Sequence, residues 1–328
     1  MATSARLVAL VVATALAALA SLLVGGAPLS PGEIVGTLAH PHAGGADATI
    51  VWQLRFPRVC IAAMVGAALA LCGALLQGML RNPLVDPYLT GVSAGAAAAV
   101  TVAVLAGISP AGLPAIGFLA GLGAALLVAV LARRGGGIDP NRLILAGVSL
   151  SMFFAAIVTL AVVRAQSGNY AGAIVAWLAG SMQGHGWHDL AIVSPYVVVG
   201  AAIAVWAIPA LDALRIGDVR ARTVGVDVDR AQWGILVASS LLAASSVVLA
   251  GIVGFIGLLV PHVARRVVGS NAAVLLPGCA LLGAALCMLA DAICRWVVAP
   301  AELPIDVLLA FIGVPAFLYI YLRAERAA

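Results

Sequence analysis

Residues 59–80 read VCIAAMVGAALALCGALLQGML, an apolar run with no charged residue, and the run stops at Arg81-Asn82-Pro83-Leu84-Val85-Asp86-Pro87. At 1.5 Å rise per residue a helix of this length crosses about 30 Å of hydrocarbon. The break that follows is equally informative, because two prolines and an Asn-Pro step make a poor continuous helix and a good loop or re-entrant turn. Apolar runs ended by charged or proline-rich breaks recur along the whole chain, so a single buried core does not account for them. Hydrophobic residues make up 64% of the 328 and charged residues 9%. Soluble domains carry roughly 25% charged residues. The sequence therefore predicts an integral membrane protein.

Outward from that run, a first span covers about Leu7 to Gly25, and a polar stretch rich in Gly, Pro and His follows through Asp47. Its early Arg and apolar run superficially match a secretory signal, but the run is longer than a signal core and reads better as a first membrane helix. A third span runs from about Tyr88 to Ala106, and Ser109-Pro110 and Pro114 separate it from a fourth that ends at Arg133-Arg134-Gly135-Gly136-Gly137. The fifth covers Leu143 to Val163. Residues 165 to 189, with Asn169, Trp177, His185, Trp187, His188 and Asp189, read as an interfacial segment with Trp side chains at headgroup depth. The sixth span is about Leu190 to Leu211, and the seventh Trp233 to Ala250. A shorter eighth leaves the Gly251–Gly254 turn toward Val260 and ends in Pro261-His262-Val263-Ala264-Arg265-Arg266. The ninth covers Leu275 to Ile293 and the tenth Ile305 to Leu322. This predicts an all-α polytopic fold of about ten helices, with residues 1–328 forming one transmembrane domain.

Charge sets the orientation. All 17 basic residues are Arg. With the amino terminus in the cytoplasm, alternation puts Arg6, Arg81, Arg133, Arg134, Arg142, Arg215, Arg220, Arg222, Arg230, Arg265, Arg266, Arg323 and Arg326 inside. Only Arg55, Arg58, Arg164 and Arg295 fall outside, as the positive-inside rule requires, and both termini are then cytoplasmic. The net charge of +4 is therefore loop charge, and no basic-aromatic face suits nucleic acid. Cys60, Cys72, Cys279, Cys287 and Cys294 lie in or beside apolar segments without a CxxC pair and read as packing residues.

No enzymatic chemistry emerges. Without Lys there is neither a phosphate-binding GxxxxGK loop nor a lysine Schiff base, and there is no HExxH. His185, His188 and Asp189 have spacing compatible with a metal site, but an interfacial cluster is the plainer reading, as it is for the loop residues His40 and His42. Asp291 and Arg295 stand four apart on one helix face, which suits either a structural ion pair or a functional carboxylate. Asp306 reads as interfacial rather than as a proton relay, and buried carboxylates are too few for a proton pathway. The small residues of Gly66–Gly73 and Gly117–Ala125 permit close helix approach. Breaks at 81–87 and 254–266 occupy comparable places in the two halves, as in many transporters.

Several ordered motifs carry a family resemblance: Arg55-Phe56-Pro57-Arg58, Gly73-Ala74-Leu75-Leu76-Gln77, residues 81–87, Gly91-Val92-Ser93-Ala94-Gly95, residues 254–265, Glu302-Leu303-Pro304 and Gly313-Val314-Pro315-Ala316-Phe317. Across essentially the whole chain the sequence resembles the permease subunits of bacterial ABC importers for iron-siderophores, haem and vitamin B12. The resemblance implies a homodimer in the bacterial cytoplasmic membrane, with the path on the dimer axis. It also implies two cytoplasmic ATPase subunits that hold ATP-Mg and a periplasmic or lipid-anchored binding protein that delivers the ligand. No cofactor is expected on this chain. A coupling loop for the ATPase falls at residues 211–230, including Arg215, Arg220, Ala221, Arg222, Val224 and Gly225. Arg55, Arg58 and Arg295 match positions that meet acidic residues on the binding protein, and reversing all three charges is expected to stop delivery while sparing the fold. Asn82-Pro83 and Pro261-His262 are the expected gate or hinge elements. Cargo is left open among haem, ferric siderophore, cobalamin and an oxyanion such as molybdate. An ion-gradient-driven secondary transporter, and a channel or signalling protein, are the competing readings.

Overall fold

A computed structural model describes residues 2–25, 29–40, 45–134, 137–165, 170–299 and 301–325. His42, Asn169, Arg326 and the Gly135-Gly136 pair lie outside the described residues. In chain order the helices are α1 (Ala2–Leu23), α2 (Pro31–Ala39) and α3 (Ala46–Thr49), which passes through a π-helical segment, Ile50–Arg55, into α4 (Phe56–Leu80). A 3-10 turn, Pro87–Thr90, leads into α5 (Val92–Leu105), and α6 (Leu113–Leu131) follows. Two-residue strands β1 (Arg133–Arg134) and β2 (Gly137–Ile138) pair antiparallel before α7 (Pro140–Ala165) and α8 (Tyr170–Leu178). The rest is α9 (Trp187–Trp206), α10 (Ile208–Leu214), α11 (Asp218–Thr223), α12 (Val228–Ala250), α13 (Ile256–Val268), α14 (Ala272–Val297) and α15 (Ile305–Glu325).

Among the described residues, 7 helical stretches are long and apolar enough to cross a membrane, and Val92–Leu105 and Ile305–Leu318 are shorter apolar helices. With α13 they occupy the positions of the expected spans. The long helix of the second span starts earlier than expected, at Ala46, and runs without interruption to Leu80. The polar stretch before it contains α2, whose Ser30 and Glu33 form a reciprocal capping box. The Ser30 backbone N–H, donating to the Glu33 carboxylate, holds that carboxyl below its usual range.

The centre of the molecule is α4, α12 and the adjoining face of α14, the most buried of the long helices. Glycine makes their approach possible: a Cβ at Gly66 would meet the Gly283 carbonyl, and one at Gly283 would meet Gly66. Gly73 meets Gly257 of α13 in the same way, and Gly147 of α7 meets the Leu89 carbonyl. Backbone-to-backbone contact of this kind is how apolar helices gain packing energy where lipid already solvates their side chains. The stretch after Leu80 does re-enter the bundle, because Pro87 packs at Gly257, beside the Leu69 carbonyl and well along α4 from its end.

Two expected breaks are not breaks. Arg55-Phe56-Pro57-Arg58 lies inside the long helix, and Pro261-His262 lies inside α13. In both places another element supplies the hydrogen bond that proline cannot donate. Gln77 Nε2 donates to the Gly257 carbonyl, four residues before Pro261, at 3.2 Å. In the π-helical register Phe56 N–H reaches back to the Val51 carbonyl. Pro57 would by that pattern reach Trp52, whose carbonyl instead accepts from the Trp187 indole at 2.7 Å. The true interruption in the second half is the turn from Gly251 to Phe255, where Gly251 and Phe255 both have positive φ.

Candidate functional site

At one end of the bundle the three arginines expected to face a partner converge with two carboxylates. Arg58 donates to Asp291 through Nε and Nη2 at 3.0 and 2.8 Å, and to both oxygens of Glu302 at 2.8 and 2.7 Å. Arg295 Nε donates to the other oxygen of Asp291 at 2.9 Å, so the pair four apart in sequence is an ion pair. Asp291 is only 2% exposed. The remaining arms of Arg295 donate to the carbonyls of Ser21 and Val24 and to the Ser21 hydroxyl, and Arg55 donates to the Leu22 carbonyl at 2.9 Å. The Ser21 and Leu22 carbonyls are among those that α1 leaves without intrahelical partners at its C-terminus, where cations are favoured, and Val24 follows directly after it.

Arg55, Arg58 and Arg295 do therefore share one site, a cavity of about 370 Å³ that also takes in Gln53, Gln183 and Glu302. They are not presented as loose surface charges. This corrects the expectation that reversing all three spares folding, because Asp291 would then be buried among like charges. Glu302 belongs to the Glu302-Leu303-Pro304 motif, to which the sequence assigns no role. Its side chain is 23% exposed, more than its partners in the cluster.

Beside this cavity, Asp189 accepts from the Gly186 backbone N–H and caps α9, with His185 Nδ1 3.5 Å away. His188 lines a second cavity with Phe118, Ile192 and Tyr196. No group of three or more metal-ligating side chains is found among the described residues. The five cysteines are free thiols, four of them buried.

Deeper in the bundle Gln77, 2% exposed, joins three elements. It donates to the Val85 and Gly257 carbonyls and accepts from Arg265 at 2.8 Å. Arg81 ends α4 in the left-handed conformation, and the Asn82 side chain accepts from Leu84 N–H, so the expected hinge begins as a tight turn. Asp86 caps the 3-10 turn through Tyr88 N–H. The Tyr88 hydroxyl accepts from Val253 N–H and Asp306 accepts from Gly254 N–H. Asp306 thus holds the Gly251–Phe255 turn rather than lying free at an interface, and the two interrupted segments touch.

The expected coupling loop folds as α10 and α11, with positive φ at Gly217 and Gly225 on either side of α11. Arg215 and Arg220 are exposed, and Arg222 pairs with Asp229 at 2.9 Å. Ala221 is fully buried and packs α11 down. Ile216, Val219 and Val224 are exposed instead, Val219 to 78%. Ile216 and Val219 had no place in the sequence reading. Their signal was the presence of aliphatic side chains within the most charged interval of the chain.

Comparison with known proteins agrees with this architecture along its length. The profile of the FecCD transport family matches residues 12–323. The cobalamin import system permease protein BtuC of Halobacterium salinarum is 39% identical over 85% of this chain and 75% of its own length. The Fe(3+)-citrate import system permease protein YfmE of Bacillus subtilis is 34% identical over 92% of this chain and 89% of its own. The hemin transport system permease protein HmuU of Yersinia pestis is 34% identical over 84% of each. Among solved structures, an inward-facing putative metal-chelate type ABC transporter superposes with a TM-score of 0.86, at 32% identity, covering 96% of this chain and 98% of that one. With its whole bundle and its ordered motifs accounted for, the chain belongs to the FecCD transport family and is a non-catalytic permease subunit of an ABC importer.

Proposed function

We propose that two copies of this chain form a path across the bacterial cytoplasmic membrane for a bulky metal chelate: a corrinoid, haem or a ferric siderophore. Relatives named for cobalamin, ferric citrate and hemin support that class and do not choose within it. Both termini lie in the cytoplasm, an orientation the arginine distribution supports. Two ATPase subunits, holding ATP-Mg, dock on α10 and α11. The observation that carries this reading is the exposure of three large aliphatic side chains, Ile216, Val219 and Val224, within the most charged interval of the chain, at the arginine-rich end. Arg215, Arg220, Arg222 and Gly225 lie in the same interval, and Ala221 anchors it from beneath.

The binding protein docks over the opposite cavity. There a partner carboxylate exchanges with Glu302 on the outward side of the Arg58 fork, while Asp291 keeps Arg58, Arg295 and the end of α1 in place; Arg55 lines the same cavity. Charge exchange of this kind selects partner and orientation more than affinity. ATP binding in the partner then shifts an inward–outward equilibrium. The moving joint is Asn82-Pro83 together with the Gly251–Phe255 turn, in place of Pro261-His262.

The test is uptake into proteoliposomes holding this chain, its ATPase and its binding protein, with labelled cobalamin, haem and ferric siderophore. Uptake of one ligand that requires both ATP and the binding protein is expected. Family membership sets aside the channel and gradient-driven readings, and an ionophore control in the same assay checks the latter directly.

A further inference from the structure

At the arginine-rich end a cavity of about 240 Å³ is lined by Gln77, Gly78, Arg81, Pro83, Arg215 and Arg265. Three guanidiniums bound it and no carboxylate lines it. Each is tied down outside the cavity or by a neutral group. Arg265 donates to the amide oxygen of Gln77 at 2.8 Å. Arg215 donates to the Ser270 carbonyl and stands 3.6 Å from Asp212. Arg81 lies 3.2 Å from Asp218 Oδ1, and Asp218 is not among the residues that line the cavity. Like charges facing one cavity repel unless an anion sits between them.

We propose that this cavity binds a phosphate group, supplied by an anionic phospholipid headgroup or by inorganic phosphate. Planar guanidiniums bind phosphate oxygens in bidentate pairs, and basic pockets between transmembrane helices at the cytoplasmic side suit lipid headgroups. With the orientation proposed above the cavity lies at that depth, since Gln77 is one turn inside the end of α4. Its three arginines come from three elements: the αL cap of α4, the α10–α11 link and α13. A bound phosphate therefore ties the Asn82-Pro83 turn, the α10–α11 segment and α13 to one another. The site stands independently of which cargo the permease carries.

The experiment uses the purified full-length permease in nanodiscs of phosphatidylcholine alone or with phosphatidylglycerol, followed by thermal unfolding. A parallel series in phosphatidylcholine compares inorganic phosphate with chloride at matched ionic strength. Stabilisation by phosphatidylglycerol alone identifies the lipid as source, and stabilisation by inorganic phosphate identifies the free anion. Either response is expected to need at least tenfold more ligand in Arg265→Gln and Arg81→Gln, and to be unchanged in Arg142→Gln, an exposed arginine outside the cavity. If Arg265→Gln does not fold, Arg215→Gln carries the comparison. No response to either phosphate source, or an equal response in the cavity variants and Arg142→Gln, overturns the proposal.

Discussion

Asp291 is a buried carboxylate held between the guanidiniums of Arg58 and Arg295, and Arg58 also pairs with Glu302. Removing one partner of such a cluster leaves a charge without compensation and costs about 3–5 kcal/mol. Arg58→Ala and Arg295→Ala are each expected to destabilise the detergent-solubilised permease by that order, read as a large fall in unfolding temperature. Glu302→Gln removes a partly exposed carboxylate and is expected to cost about 1 kcal/mol or less, while slowing binding-protein-dependent uptake. An unfolding temperature that falls as far in Glu302→Gln as in Arg58→Ala would contradict the division between an inner structural carboxylate and an outer exchangeable one. The Asp291–Arg295 pair was legible in the sequence because four residues on a helix place both on one face. The engagement of Arg58 with both carboxylates was not, since it joins residues 233 and 244 positions apart.

At the scale of the element, proline misleads when read locally. Pro57 and Pro261 each signal a helix boundary, and each sits within a continuous helix because Trp187 or Gln77 takes up a released carbonyl. Gln77→Leu is expected to cost roughly 2 kcal/mol, the penalty for orphaning buried polar groups. Pro261→Ala restores an N–H aimed at the Gly257 carbonyl, so Gln77→Leu should cost less in a Pro261→Ala background. A double-mutant cycle on unfolding free energy measures the coupling, and strict additivity would contradict the compensation. Span positions were readable throughout because apolar length and charged breaks are local properties. Helix limits near Arg55 and Pro261 were not, because the hydrogen bonds that decide them come from distant elements.

For the whole molecule, the two ends are built differently. One end buries its arginines in an internal ionic lattice facing a cavity, and the other exposes aliphatic side chains on α10 and α11 amid arginines. The asymmetry between the ends was visible in the sequence as a charge imbalance, and 211–230 as the longest charged interval. Which residues of that interval face outward required the fold, since Ala221 turns inward and Val219 outward. Replacing Ile216, Val219 and Val224 together with Ser is expected to reduce ATPase-subunit binding at least tenfold, as loss of an apolar anchor cluster does. The unfolding temperature of the permease alone should stay near the wild-type value, because these side chains are already exposed. Co-purification with the ATPase subunit from detergent measures the first effect, and retained binding would move the docking surface elsewhere.

The most direct test of the central claim is labelled-ligand uptake in proteoliposomes that contain the permease, its ATPase subunit and its binding protein. One bulky metal chelate is expected to accumulate, to stop accumulating when ATP or the binding protein is withheld, and to be indifferent to an ionophore. Accumulation that continues without ATP and collapses with the ionophore would contradict that expectation.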